Sequence, residues 1–416
     1  MRSGTSVFGL ARGLLSPGNI RILALTSMLT GIYISMLNTI LQPFVVEYLG
    51  FDVAILGALV AVGARPTGLA SSIIQPFAGH LADVLGRKRL ILLGSAVGIG
   101  SMLSFLVAAM TRGPVALSLG YVLLGLSLLG NPASQAMIAE SVSMDPGMFN
   151  VAYSVVFFFT SLPGAIVPFL VGYMGYTVIF GLAAILEAVN LFALFPQLRE
   201  TQFSSPVDIG AGRRFSFRES VRIPRGFVRI FIPFAMDAFS WGIGGAIIYG
   251  MWASYFGFSN LEIGIIFGSF SLSIVASQYF ATRLLLAVGA RRTLGISEFL
   301  AGLILLGWLL DQYLPFMVLV AVVFGFSVAL WVPAVSSLLM VTAPAEERGS
   351  ILGKLAAVRG LIAFPAPVIG GLIYTVYGYY VPVFLSLVGE FVTTLAILKL
   401  LPETHQPPLQ TVSPRP

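Results

Sequence analysis

Asp237 sits about eight residues inside an apolar run that begins at Ile230, and Trp241 follows it by one helical turn. A carboxyl held that far from water suits a group that takes up and releases a proton. Arg65 lies about twelve residues, and Arg359 about seven, from the nearer end of its own apolar run. Arginine keeps its proton, so each needs a carboxylate, backbone carbonyls, water or an anionic ligand. Two chemistries are open here. Asp237 either carries a proton or contacts a solute, or it pairs with Arg359; the arginines either hold an anion or belong to buried pairs with a resident acid. Glu187 and Glu390 stand 203 residues apart (390 − 187) in matching runs, and they read as structural buried pairs. Glu298 and Lys354 lie nearer the ends of their runs, as does Glu140. Asn38 with Gln42, and Asn131 with Gln135, are four residues apart and share helix faces. Their amides either contact a solute or bridge neighbouring helices.

A second concentration of charge runs from Gly79 to Arg89, with Asp83, Gly86, Arg87, Lys88 and Arg89 between two long apolar stretches. It reads as a short charged turn at a membrane face. Gly79 and Gly86 would allow close packing and a tight turn. Asp83 would accept hydrogen bonds from helix N-termini or a loop arginine. The three basic residues would hold helix ends or lipid phosphates.

The elements that carry these groups follow from composition. The chain of 416 residues is 57% hydrophobic and 10% charged, with a mean hydropathy of +0.95. A soluble domain carries about 25% charged residues. A bilayer core needs roughly 20 helical residues per crossing, and the runs lack the alternation of barrel strands. Twelve helical spans are predicted, at about 20–46, 53–82, 90–110, 115–138, 151–172, 176–195, 230–256, 261–286, 293–310, 316–341, 352–376 and 381–400. The fold class is therefore an all-α membrane protein. Met1 to Asn19 has no apolar core of signal-peptide length, so the first span is expected to stay as an anchor.

Arg65 and Arg359 lie within spans and Arg112 faces one side, which leaves 20 of the 23 basic residues on the other side with both termini. By the positive-inside rule that side is cytoplasmic, and the protein spans the plasma membrane. The net charge of +6 then reflects loops facing anionic lipid, with no nucleic acid needed. Cysteine is absent, so thiolate, disulfide and zinc–cysteine chemistry are excluded. No metal-ligand spacing and no phosphate-binding G-x-x-x-x-G-K-[ST] loop occur, so no cofactor is expected.

The chain also repeats itself. Tyr48 to Phe51 is echoed by Tyr255 to Phe258, Gly86–Arg89 by Gly289–Arg292, Pro132-Ala133 by Pro333-Ala334, Pro168 with Gly172 by Pro367 with Gly371, and Glu200-Thr201 by Glu403-Thr404. The order is kept and the offsets stay near 200, which predicts a duplicated six-helix unit. The domains are then residues 1–195, a linker at 196–229, a second bundle at 230–401 and a disordered tail at 402–416. Arg214, Arg218 and Arg222 at four-residue spacing suggest a short basic helix in the linker, lying on the inner leaflet.

The Gly79–Arg89 pattern between the second and third spans resembles the corresponding loop of major facilitator superfamily transporters. The parallel repeat is similar to the arrangement of their halves. The resemblance implies two pseudo-symmetric six-helix bundles around a central cavity, and a monomer. It implies that Asn38, Gln42, Asn131, Gln135 and Trp241 lie on cavity-lining helices, with Arg65 and Arg359 near the interface of the halves. It makes Gly79, Asp83, Gly86, Arg87, Lys88, Arg89 and Glu140 a gating motif. The sequence departs from the proton-linked drug exporters of that family. Leu123 to Gly130 has no arginine in the fourth span, and Val167 precedes Pro168 where a glycine is usual.

The expected function is proton-coupled secondary transport of a small organic solute, with Asp237 as proton carrier and a lean toward export of amphipathic compounds. Uptake or exchange of an organic anion, or of a sugar, on Arg65 or Arg359 is the runner-up. The expected partners are the solute, protons and membrane lipid. A non-transporting scaffold stays open. A membrane enzyme has little support, because the histidines, His80 and His405, form no catalytic cluster.

Overall fold

The computed structural model describes residues 18–142, 146–201, 216–217, 221–342 and 348–403. Arg214 and Arg218 of the expected linker helix lie outside these, as do the tail after Glu403 and most of the linker.

Eleven helices among the described residues are long and apolar enough to cross a membrane. The first span is α1 (Asn19–Pro43), extended to Tyr48 by a π-helical turn. The predicted second span, 53–82, is not one helix. It is split into α2 (Val53–Gly63) and α3 (Leu69–Leu85). Pro66 lacks an amide proton and biases Arg65 away from helix, and Gly68 caps the restart. The freed carbonyls stay satisfied: Gly68 N–H donates to Ala64 O (2.8 Å), and the Ser71 hydroxyl lies within 2.8–3.1 Å of the Ala64, Pro66 and Gly68 carbonyls.

The third span is α4 (Arg87–Thr111). The fourth is α5 (Pro114–Leu126), a 3-10 turn at Ser127–Gly130 and α6 (Asn131–Ser141). The fifth joins α7 (Pro146–Ser161) to α8 (Val167–Val171), and the sixth is α9 (Tyr176–Val189) with its π extension. The second half follows suit. Its seventh span is α10 (Val228–Gly244) with α11 (Ile248–Phe256). Then come α12 (Asn260–Val288), α13 (Ala290–Leu310) and α14 (Leu314–Thr342). The eleventh span is α15 (Arg348–Ala363) with α16 (Ala366–Tyr377), and the twelfth is α17 (Tyr380–Leu400). Helix starts repeat between halves: Asp52 caps α2 through Ala54 N–H (2.8 Å), and Ser259 caps α12 in a reciprocal box with Glu262.

The expected Gly79–Arg89 loop is a correction. Helix α3 runs on to Leu85, and the turn is Gly86 alone, whose φ of +93° favours glycine. A Cβ at Gly79 would meet nothing, so close packing does not require glycine there.

The halves close together at the end remote from the termini. A Cβ at Gly57 would overlap the Pro367 carbonyl, and one at Gly264 would overlap the Pro168 carbonyl. Gln42 bridges the halves by donating to Ala246 O and accepting from Gly250 N–H, both at 2.9 Å. Thr375 donates to Asp52 (3.0 Å), and Asn260 donates to the Tyr176 hydroxyl (2.9 Å). One end is therefore sealed by backbone-to-backbone contact and paired polar groups.

Candidate functional site

Arg65 lies at the break of the second span, about 18 Å along the axis from Val53 at 1.5 Å per residue. The break sets it on the wall of two cavities. The larger, about 510 Å³, lies within the first half and takes in Thr30, Tyr33, Asn131, Gln135 and Glu187. It reaches Leu23 and Phe195, near the end that carries the termini. The smaller, about 390 Å³, lies between the halves. Gln42 and Tyr121 there face Trp241, Tyr249, Phe267 and Arg359. Ile34, Asn38, Arg65 and Pro66 line both, so the cavities meet at this point.

The Arg65 guanidinium donates through Nε to Leu124 O (2.9 Å) and through an Nη to Ser127 Oγ. Both acceptors are neutral. Among the described residues no carboxylate forms an ion pair with it. Arg359 differs: its guanidinium pairs with Asp237 and lies 4.6 Å from the centre of the Trp331 ring. Trp241 packs against Trp308 and Phe324, with ring centres 5.7 and 5.0 Å away. Of the four amide residues, Asn38, Asn131 and Gln135 line cavities, while the Gln42 amide is already committed to the bridge between the halves.

Behind Arg359 lies a cluster that the sequence did not reveal. One carboxylate oxygen from each of Asp237, Glu298 and Glu390 lies within 4.8 Å of the other two, and all three residues are buried. Glu298 accepts from Trp331 Nε1 (2.8 Å). It lies eight residues into α13, nearer the start of that helix as expected, and is buried there. Glu390 belongs to the same group, whereas Glu187 stands apart among neutral donors, accepting from Ser95 (2.6 Å) and Asn190 (3.0 Å).

At the terminus-bearing end, Arg87 pairs with Glu140 (3.2 Å), which also accepts from Thr201 Oγ1 (2.5 Å). Glu200 accepts the Arg87 and Lys88 backbone N–H groups, both at 3.1 Å, and so caps α4 where its dipole favours an anion. The Lys88 amine reaches Pro196 O (2.7 Å), and Arg89 is exposed. The Asp83 side chain lies outside the described residues. Glu200 and Thr201 were visible in the sequence as a repeated pair, which was the signal for their role.

The family model of the Major Facilitator Superfamily matches residues 23–243 and 229–415. The chain belongs to the major facilitator superfamily. No curated protein matches it in sequence. Solved facilitator structures share its fold. The human organic anion transporter MFSD10 is 18% identical, with a TM-score of 0.67 over 93% of this chain and 99% of that one. The nucleoside transporter NupG is 16% identical, with a TM-score of 0.68 over 92% and 98%. A D-xylose–proton symporter is 13% identical, with a TM-score of 0.68 over 92% and 97%. As a facilitator, the protein is a multi-pass membrane transport protein and not an enzyme.

Proposed function

We propose that this facilitator is a secondary transporter of small amphipathic organic anions, coupled to protons, working by alternating access with both termini in the cytoplasm. The observation that carries the reading is Arg65, a deep cation at the junction of two cavities that has no carboxylate within ion-pair distance among the described residues, Glu187 lying elsewhere on the wall of the larger cavity. A guanidinium in that position takes a carboxylate or phosphate oxygen pair. Trp241, Tyr249 and Phe267 supply an apolar wall for the rest of the solute, and Asn38 an amide at its edge. Arg359 on the same wall offers a second cation once it leaves Asp237. Asp237, thus uncovered, is the group that takes the proton. The sealed end and the cavity reaching toward the termini correspond to a state open on the cytoplasmic side.

Export of uncharged or cationic amphipathic compounds is the second reading, favoured by the same aromatic wall. Binding separates the two. Titration of the purified protein with an aryl carboxylate and its neutral amide, followed by tryptophan fluorescence, is expected to favour the carboxylate. Arg65→Gln removes a desolvated charge contact of about 2–5 kcal/mol, a loss of roughly thirtyfold or more in carboxylate affinity. Equal affinity for both compounds in the wild type, or no effect of Arg65→Gln, would rule out the anion reading.

A further inference from the structure

The two halves can be compared at one buried spot. Ser95, Glu187 and Asn190 correspond to Glu298, Glu390 and Thr393, each at an offset of 203 (298 − 95, 390 − 187, 393 − 190). In the first half both Glu187 oxygens receive donors, from Ser95 and from Asn190. In the second half the serine donor is replaced by a carboxyl and the amide donor by threonine. Glu390 is fully buried, and neither of its oxygens has a donor among the described residues. The Glu298 carboxyl brings an oxygen within 4.8 Å of one of them. The Thr393 hydroxyl, one turn along the same helix face, is also buried and unpartnered.

Two buried carboxylates this close repel unless something positive lies between them. The charged groups facing the spot are few. Helix α10 brings Asp237, α13 brings Glu298, α15 brings Arg359, α14 contributes the neutral Trp331, and α16 carries no charged side chain. Three carboxylates against one guanidinium leave a charge of minus two, and two protons cancel it.

We propose that Asp237, Glu298 and Glu390 form a shared proton-holding site of the second half, with one proton bridging Glu298 and Glu390, and that Arg359 sets its occupancy. This rests on the anion reading above and names its coupling site. When a substrate anion takes the Arg359 guanidinium, the cluster loses its counter-ion and gains one proton from the open aqueous side. When the anion leaves, Arg359 returns to Asp237 and that proton departs to the side then open. One proton moves with one monovalent anion, and no bond other than O–H is made or broken.

Infrared spectroscopy of the full-length protein in proteoliposomes tests this without any substrate. At neutral pH the wild type is expected to show the C=O band of a buried protonated carboxyl. The band should weaken in Glu390→Gln and in Glu298→Ser, which rebuilds the first-half arrangement, and persist in Glu187→Gln. Its absence from the wild type, its persistence in both second-half variants, or its loss on adding sodium ions would overturn the proposal. A transport arm separates this from the anion reading. Proton uptake accompanying aryl carboxylate uptake should fall at least tenfold in Glu298→Ser, and an unchanged ratio would also overturn the site. If the band behaves as expected but no carboxylate is carried, the proton site stands and the substrate reading fails.

Discussion

Arg359 and Asp237 illustrate what a single ionised residue requires in this protein. Each sits where water is scarce, and each is stable there because the other neutralises it. Removing one partner of such a pair costs about 3–5 kcal/mol, because the survivor keeps its desolvation penalty. Arg359→Gln should therefore lower the thermal unfolding midpoint of the detergent-solubilised protein, and adding Asp237→Asn should restore most of the loss. A single variant as stable as the wild type would mean that the pair does not neutralise itself in the folded protein. Arg65 is different in kind, because its acceptors are a carbonyl and a hydroxyl. The sequence named Arg65, Asp237 and Arg359 because a charge within an apolar run is conspicuous. It did not bring Glu298 and Glu390 to Asp237, since the three come from helices far apart in the chain. Applying the 203-residue offset to polar positions would have paired Ser95 with Glu298 and exposed the substitution.

Helices α2 and α3 mark where periodicity reached its limit at the scale of elements. Hydropathy alone reads 53–82 as continuous, because the break itself is short and flanked by apolar residues. Arg65-Pro66 and Gly68 carried the signal, through proline's missing donor and its constraint on the residue before it. The two glycine crossings at the sealed end are a second element-level feature. Gly57 against Pro367 and Gly264 against Pro168 bring helix backbones together in pseudo-symmetric fashion. Only a residue without a Cβ permits that approach. Gly264→Val should hold the halves apart there and shift the protein toward the opposite state. The chain has no cysteine, so a single cysteine introduced at Asn260 reports directly. Its labelling by an impermeant thiol reagent should be at least severalfold faster in the Gly264→Val background. Unchanged labelling would show that the crossing does not hold the seal.

The whole molecule is two copies of one bundle that have diverged in polarity. The first half keeps a neutral-donor site around Glu187 and places Arg65 on the cavity wall. The second half gathers three acids behind Arg359. The proposed coupling would draw on that asymmetry, with solute recognition and charge compensation meeting across one interface. Fold class and repeat were legible from composition and spacing, because lipid imposes the length of every crossing. The cavities were not, since their walls depend on how the halves tilt. The most direct measurement is the simultaneous flux of a labelled aryl carboxylate and of protons into proteoliposomes holding the purified protein. The account predicts carboxylate accumulation driven by an inward proton gradient, matched by proton entry and abolished in Arg65→Gln. Carboxylate flux indifferent to the proton gradient, or equal flux in Arg65→Gln, would contradict it.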